Sequence, residues 1–431
     1  MSARQAGLTG RLNSLALPAD APARLREALG VPPGRAVRLA YVTGPGDVVG
    51  TYDRWRAGAG DERGVKLSYS GMFFDLAEAV EAEALVCHMT GHDGAEAGRG
   101  DPSASTVRFV HTPMRWVGGR IAFSAALLSY SLRVVEALRG FRPDAVVLAS
   151  DLSALVVPFV PGRVIASVHN TFWSKGADQN SAAVRRRRAQ YALYGRRVEG
   201  AVCISKTCAE QLGAVTHGRD IPIRVLRPQL PGSGPERPVE PAAAAGRRLL
   251  YVGRVEADKG VFDLLAAAEG ARRTVPGLTL AFVGGGGAVG ALADEAAHRP
   301  WVTVHGQLGG AQVEDHLRAA DLLVCPTRSS FNEGLATVGI EALVRGVPSV
   351  LSSVVPAASL LGEACLVFPA DDRTALERAL IEGLAAGSVR DALLRGVASA
   401  DIAQFFDRRY AWGSNLFTVL TALPPRGGKT D

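Results

Sequence analysis

Strand-like and helix-like runs alternate along almost the whole 431-residue chain, and this alternation limits the possible folds more than any other feature. Short apolar runs rich in β-formers, such as "RAVRLAYVTG" at residues 35–44, precede segments with helical spacing, such as "FFDLAEAVEA" at 73–82. A parallel sheet requires this order, because each strand needs a crossover connection before the next parallel strand. The sequence therefore predicts an α/β fold.

One stretch interrupts the alternation. Residues 230–247, "LPGSGPERPVEPAAAAGR", are rich in proline, glycine and alanine, which is typical of a linker. The pattern restarts beyond it, so we predict two doubly wound parallel-sheet domains that face each other across a cleft. The predicted divisions are an N-terminal leader at 1–34, a first domain at 35–229, the linker at 230–247, a second domain at 248–405 and a terminal segment at 406–431.

Composition favours a globular protein in a reducing compartment. Hydrophobic residues make up 47% of the chain, enough for two cores, and the net charge of +6 suits anionic ligands without requiring nucleic acid. The five cysteines form no C-x-x-C pair, and the N-terminus does not resemble a signal peptide. The most apolar segment, residues 120–140, contains charges and has the spacing of a core-facing helix. We therefore expect a cytoplasmic protein without a membrane span.

The loop after the first strand of the second domain carries two cations. In "LLYVGRVEADKG", Gly253 ends the strand, and Arg254 and Lys259 follow. Arginine can bind two oxygens at once and lysine adds a mobile point charge, so this loop suits a diphosphate. The alternative is an ordinary loop whose charges are solvated.

Two glutamates lie eight positions apart in "FNEGLATVGIEALVRG". We expect a helix to begin near Gly334, so that its free N–H groups form an anion site beside Glu333. Glu341 would then lie about 12 Å further along the helix. Carboxylates accept hydrogen bonds from sugar hydroxyls, so this spacing suits a nucleotide sugar, with Glu333 at the hexose and Glu341 at the ribose. The alternative is that Glu333 caps the helix and Glu341 is a solvated helix residue.

Five motifs, "YVGRVEADKG", "FVGGGG", "VHGQL", "AADLLVCPTRSSFNEGLATVGIEALVRGVPSV" and "LVFPADD", occur in an order that resembles glycosyltransferase family 4. The resemblance implies the GT-B fold, two facing Rossmann-like domains, and a retaining glycosyltransferase. It also implies that Arg254 and Lys259 bind the donor diphosphate, with Glu333 at the transferred sugar and Glu341 at the ribose. The resemblance also places Gly306, Gln307 and Leu308 near the base of the nucleotide. The resemblance also implies that Gly334, Leu335 and Ala336, which stand where many members have Gly-Phe-Gly, bind the donor.

In the first domain the resemblance covers scattered motifs. It implies that Gly44 and Gly46, in "TGPGDVVG", approach the donor closely, and that His169, at the end of "ASVHN", lines the reaction cleft. Without the family, a single strand-end histidine is more often a satisfied polar group. Relatives also suggest that the helix of the terminal segment at 406–431 crosses back onto the first domain.

These observations predict an enzyme that moves a sugar from a nucleoside-diphosphate sugar to a hydroxyl or amine of a small-molecule or cell-envelope glycan or lipid acceptor. No Asp-x-Asp motif is present, so we expect neither a metal nor another cofactor. Two alternatives stay open. A nucleotide-sugar epimerase would need several acid/base groups around the sugar, and a non-catalytic nucleotide-sugar-binding protein would show no turnover.

The segment "VRRRRAQYALYGRRV" contains six arginines among apolar and aromatic residues. It suits a helix whose basic face is solvated or grips an anionic acceptor. A peripheral contact with anionic lipid is the other interpretation of this helix. That contact would use four consecutive side chains, Arg185, Arg186, Arg187 and Arg188.

Overall fold

The computed structural model describes residues 15–58, 68–89, 107–115, 118–231 and 247–425. Within these ranges the chain forms two sheets, one of seven strands and one of six, and all of the strand pairs are parallel. Helices connect the strands. The predicted pair of doubly wound domains is therefore confirmed.

The first sheet has the strand order β3-β2-β1-β4-β5-β6-β7. Its strands are β1 (Arg38–Val42), β2 (Glu83–His88), β3 (Val107–His111), β4 (Ala145–Leu148), β5 (Arg163–Val168), β6 (Val198–Cys203) and β7 (Ile223–Val225). The helices of this part are α1 (Ala21–Leu29), α2 (Val48–Arg56), α3 (Tyr69–Ala79), α4 (Arg120–Phe141), α5 (Ala182–Gln190), α6 (Ala192–Arg197) and α7 (Lys206–Val215).

The second sheet has the strand order β10-β9-β8-β11-β12-β13. Its strands are β8 (Arg248–Val252), β9 (Thr279–Val283), β10 (Val302–Val304), β11 (Leu322–Cys325), β12 (Ser349–Ser352) and β13 (Cys365–Phe368). The helices that follow are α8 (Val261–Ala271), α9 (Val289–Ala296), α10 (Gly310–Ala319), α11 (Val338–Leu343), α12 (Ala358–Leu361), α13 (Arg373–Leu384) and α14 (Ser388–Ser399).

Each sheet reverses its strand order beside its first strand, at β1/β4 and at β8/β11. An aspartate secures both points. Asp144, just before β4, accepts a hydrogen bond from the backbone N–H of Arg38 at 2.8 Å. Asp321, just before β11, accepts from the N–H groups of Arg247 and Arg248 at 2.9 and 3.0 Å. Ligands of doubly wound sheets bind at the carboxyl ends of the strands next to such a reversal.

The last helix, α15 (Trp412–Thr421), packs against α1, α3 and β6 of the first domain. Trp412 is almost fully buried there, with its ring 5.6 Å from that of Tyr41. The segment predicted as a leader contains α1, whose Leu25 is buried in the same core. Most of the predicted linker lies outside the described residues, but Leu230 at its start donates a backbone hydrogen bond to Phe405.

Helix α4 is buried over only part of its length. Tyr130, Val134 and Leu138 in its second half are in the core, as predicted. By contrast, Ile121 in the first turn is 88% exposed. By length and composition, Ile121–Phe141 is long and apolar enough to cross a membrane, with 28% of its most apolar window buried. The prediction of a core-facing helix is therefore correct for its second half and wrong for its first turns.

Candidate functional site

A buried ion pair joins two loops at the carboxyl edge of the second sheet. Lys259 follows β8 and Glu333 follows β11, the strand paired with β8. Lys259 Nζ lies 2.6 Å from Glu333 Oε2, and the two side chains are only 14% and 8% exposed. The hydroxyl of Thr327 donates to the same oxygen at 3.2 Å. An ammonium group has three N–H donors, so Lys259 keeps donors for a ligand while it holds Glu333.

Gly260 places Lys259 at the start of α8. Its φ of +74° belongs to the left-handed region, and a Cβ there would lie 2.0 Å from the carbonyl oxygen of Pro326. Only glycine accepts both conditions without strain. This geometry explains why a glycine follows Lys259 in the sequence "DKG".

Phe331 lies beneath both predicted diphosphate cations. Its ring centroid is 4.0 Å from Lys259 Nζ and 5.3 Å from the guanidinium carbon of Arg254. Cation–π contacts of this kind keep two positive groups near one point. We did not single out Phe331 or Thr327 from the sequence, because neither residue type signals a contact across loops.

A cavity of about 260 Å³ lies beside this ion pair. Its lining includes predicted residues from both loops, namely Gly253, Lys259, Glu333, Ala336 and Glu341. Glu341 is 5% exposed, which contradicts the alternative of a solvated helix residue. Burial, followed by the nearby charge of Glu333, raises the pKa of the Cys325 thiol to about 12, so this lining residue is a neutral thiol rather than a nucleophile.

The helix predicted to begin near Gly334 begins four residues later. Helix α11 starts at Val338 with Thr337 as its N-cap, so Glu333 is not a cap and Glu341 lies in the first turn. The residues before α11 make a close contact with the first domain instead. A Cβ on Gly334 would lie only 1.8 Å from the carbonyl oxygen of His169. This crossing of the cleft replaces the first predicted turn of helix.

The two residues after Gly334, both expected to bind the donor, lie in different surroundings. Leu335 is buried in the core and its carbonyl accepts a hydrogen bond from Ala357. Ala336 lines the cavity with a left-handed φ of +63°. That conformation explains a preference for glycine at this position.

His169 is held by the last helix of the chain. Its Nε2 lies 2.8 Å from the hydroxyl oxygen of Ser167, which accepts a hydrogen bond from Trp412 Nε1 at 2.8 Å. The ring of Tyr69 packs 4.6 Å away. His169 therefore faces the Gly334 loop across the cleft with its orientation set by α15.

Other predicted donor residues line neither this cavity nor the larger one described below. Gly44 and Gly46 follow β1, at the same sheet edge as the end of β4, and a Cβ on Gly44 would lie 3.6 Å from the Ala149 carbonyl. The loop of Gly306, Gln307 and Leu308 follows β10. Its Gly306 carbonyl accepts a hydrogen bond from Gly284 at 2.7 Å.

A larger cavity of about 1260 Å³ lies between the domains. Arg254, Phe331 and Asn332 line it from the second domain, whereas most of the lining belongs to the first, including Asp151 and Thr171. Arg254 therefore connects the predicted donor site with a space formed mainly by the first domain. In the part of the chain that the structure describes, no group of three or more His, Cys, Asp or Glu residues could hold a metal ion.

Two facing doubly wound domains with a cleft at their carboxyl edges define the GT-B fold. The structure of HepE from Anabaena in complex with UDP and glucose is 15% identical, covering 90% of this chain and 100% of that one, with a TM-score of 0.60. WaaG, a glycosyltransferase involved in lipopolysaccharide biosynthesis, is 17% identical over 90% and 100% of the two chains, with a TM-score of 0.57. At these identities the likeness establishes the fold.

Residues 246–386 match the family model described as "Glycosyl transferases group 1". TuaC of Bacillus subtilis, named as a teichuronic acid biosynthesis glycosyltransferase, is 38% identical over 27% of each chain. A glycogen synthase of Mycobacterium tuberculosis is 28% identical over 59% of this chain. The chain spans 27% and 62% of the length of these two relatives. The chain therefore has the GT-B fold, and its residues 246–386 are similar to the glycosyl transferases group 1 domain.

Proposed function

We propose that this chain is a retaining glycosyltransferase of family 4. It moves a sugar from a nucleoside diphosphate to a hydroxyl or amine of a small-molecule acceptor or of a cell-envelope glycan or lipid. The buried Lys259–Glu333 pair beside Arg254 is the observation that carries this proposal. The pair places one cation for a diphosphate and a carboxylate for sugar hydroxyls in one small cavity, and Arg254 adds a second cation from the lining of the larger cavity.

Arg254 and Lys259 act on the leaving group. When the bond between the anomeric carbon and the phosphate oxygen breaks, negative charge grows on the diphosphate and positive charge on the sugar ring. Fixed cations lower this barrier most where water is excluded. The N–H donors of Lys259 not used by Glu333 reach the diphosphate, while the second oxygen of Glu333 accepts from the transferred sugar. Glu341, buried in the same cavity, accepts from the ribose.

Retention follows from attack on the face that the diphosphate leaves. A phosphate oxygen of the donor takes the proton of the acceptor as the new bond forms, so no side chain becomes a covalent nucleophile. Cys325, the thiol in this cavity, is kept protonated by its high pKa. His169 shapes the acceptor side and, through its carbonyl contact with Gly334, holds the cleft closed against water.

We further propose that no metal takes part, because Arg254 and Lys259 supply the charge that a divalent cation would otherwise provide. The rate of transfer should therefore be the same with EDTA as with added Mg²⁺ or Mn²⁺. A rate that falls in EDTA and returns with either ion would contradict this part of the proposal.

We place the enzyme in the cytoplasm, with peripheral contact to the membrane through Arg185–Arg188. These arginines belong to α5, and the first three are exposed. Cell fractionation in low and high salt tests this location, since a peripheral contact made by arginines is released by salt.

A thermal-shift panel of UDP-, GDP-, ADP- and TDP-sugars identifies the donor, because a bound ligand stabilises the folded state. Incubation of the chosen donor alone then separates the alternatives. Slow release of free sugar and nucleotide is expected from a glycosyltransferase. An epimerised sugar would indicate the epimerase, and binding without any turnover would indicate the non-catalytic protein.

A further inference from the structure

The cavity of about 1260 Å³ has a lining chemistry that differs from that of the donor site. We propose that it binds the acceptor, and that the acceptor is an amphiphilic anion: a molecule with an apolar body, a negative group and the hydroxyl or amine that reacts. This inference rests on the proposed function and adds to it the chemical class of the acceptor. Three parts of the cavity carry it.

The first part is a pair of polar groups without hydrogen-bond partners. Asp151 follows β4 and Thr171 follows β5, so both lie at one edge of the first sheet. Among the described residues, no N–H or O–H group donates to the Asp151 carboxylate. Thr171 is 4% exposed, and its hydroxyl oxygen is buried without a hydrogen-bond partner.

Because Thr171 is buried, its unpaired hydroxyl is costly unless a ligand completes it, whereas the Asp151 carboxylate is exposed and open to a ligand. A hydroxyl or amine placed between the two side chains could donate to Asp151 and accept from Thr171. The surroundings of Asp151 agree with this role. Although Asp151 is exposed by surface area, desolvation by the cleft around it raises the pKa of its carboxyl group, an effect that Arg187 partly offsets. A ligand that donates a hydrogen bond to the ionised carboxylate would therefore stabilise that form. Asp151 acts as a positioning residue in this scheme.

The second part is a pair of arginines. Arg186 and Arg187 line the cavity from α5. Within the described chain, neither has a carboxylate within ion-pair distance. The next residue, Arg188, is engaged differently, because it lies over the ring of Trp173 and donates to Gln179. Asp151 interacts electrostatically with Arg187 but forms no ion pair with it, so both cations can still bind a ligand carboxylate or phosphate.

The third part is an apolar wall. The exposed first turns of α4 contribute Ile121 and Phe123, and the loop after β4 contributes Leu155, which is 67% exposed. Phe172 and Tyr191 also line the cavity and pack edge to face, with ring centroids 4.9 Å apart. Apolar side chains gathered around a polar floor mark a surface that a ligand covers. A ligand on this surface would account for the exposed apolar side chains in the first turns of α4.

Three fluorescent probes test this class directly. The first, 6-hydroxy-2-naphthoate, carries the hydroxyl, the apolar body and the anion. The second, 6-hydroxy-2-naphthamide, lacks the charge, and the third, 2-naphthoate, lacks the hydroxyl. We expect the hydroxynaphthoate to bind at least tenfold more tightly than the amide. The double variant Arg186→Gln/Arg187→Gln should remove that difference, and Asp151→Asn should weaken only the two hydroxyl-bearing probes.

A matched control is Arg185→Gln/Arg196→Gln, which loses the same charge outside the cavity lining. It should leave the preference for the anion intact. Equal binding of anion and amide by the unaltered protein, or a preference that survives the loss of Arg186 and Arg187, would overturn the inference. Sedimentation with phosphatidylglycerol vesicles shows whether the anion is lipid-borne, and the same double variant must abolish that binding too.

Donor assays separate this inference from the proposed function. Donor binding and the slow hydrolysis of donor without acceptor should be unchanged in the Asp151 and arginine variants. If donors bind and are hydrolysed while the probes show no dependence on these residues, only the acceptor class is wrong. If no nucleotide sugar binds to any variant or to the unaltered protein, the glycosyltransferase proposal itself fails.

Discussion

At the scale of single residues, the candidate site depends on a few side chains held by short-range geometry. Lys259 and Glu333 are neighbours only because β8 and β11 pair, although 74 positions separate them in the chain. Both residue types and both loops could be singled out from the sequence. Their pairing, and the ring of Phe331 below them, could not be predicted, because nothing local in the sequence specifies a contact between two loops.

Replacing either member of this pair should slow sugar transfer. We expect Lys259→Ala and Glu333→Ala each to lower turnover at least tenfold, which corresponds to about 1.4 kcal/mol of lost transition-state stabilisation. Steady-state rates with the donor found in the thermal-shift panel measure this. Lys206→Ala and Glu210→Ala are matched controls, because those side chains are 81% and 63% exposed and should leave the rate unchanged. Near-normal rates in both variants would contradict the assignment of Lys259 and Glu333 to the site of sugar transfer.

Ala336 offers a prediction about backbone strain. A left-handed conformation costs a non-glycine residue about 1–2 kcal/mol, and the extra freedom of glycine in the unfolded chain offsets about 0.4–1 kcal/mol of any gain. Ala336→Gly should therefore stabilise the protein by up to about 1.6 kcal/mol in a urea titration. Ala297→Gly is the control, because Ala297 has a right-handed φ of −53° and the change should destabilise. Equal effects of the two changes would contradict the explanation.

At the scale of elements, each sheet depends on an aspartate that joins its two central strands. Asp321 accepts from two backbone N–H groups and from the Arg248 side chain at the start of β8. Asp144 accepts from one backbone N–H group of β1, that of Arg38, and has Arg35 as its side-chain partner. An aspartate therefore stabilises each sheet at the place where its strand order reverses.

The carboxylate of Asp321 should make stability depend on acid pH. Burial opposes its ionisation, but the hydrogen bonds from Arg248 and from the backbone outweigh burial and lower its pKa. A lowered pKa means that its stabilisation is complete above the unfolded value of about 3.9 and is lost as the pH falls below it. We expect Asp321→Asn to cost about 1–3 kcal/mol at pH 7 and less below pH 4.

Urea unfolding at several pH values measures this loss. Asp20→Asn is the control, because Asp20 forms only an exposed pair with Arg24 and should change little at any pH. A cost for Asp321→Asn that stays constant from pH 7 to pH 3 would show that the ionised carboxylate is not the stabilising group.

At the scale of the whole molecule, the two domains meet at a contact too tight for any side chain. Gly334→Ala would place a methyl group 1.8 Å from the His169 carbonyl oxygen, so the loop or the domains must move apart. We expect transfer to fall at least tenfold, about 1.4 kcal/mol in activation free energy, because the donor cations no longer meet the first domain.

Gly290→Ala in α9 is a suitable control, because its added Cβ would meet nothing within 4 Å. Turnover and the radius of gyration from small-angle scattering should be unchanged in this control, whereas Gly334→Ala should raise the radius. Normal turnover of Gly334→Ala would show that this contact does not close the active form.

The two sheets, the polar loops at their carboxyl ends and the residue types of the candidate site could be read from the amino-acid sequence, since hydrophobic periodicity and strand-end motifs are local properties. The start of α11, the left-handed conformation of Ala336 and the cavity shared by Asp151, Thr171 and Arg187 are visible only in the folded chain. These features arise from contacts between distant segments and between domains. Such packing overrides local helix preference. The residues after Gly334, for example, contact His169 instead of forming the first predicted turn of helix.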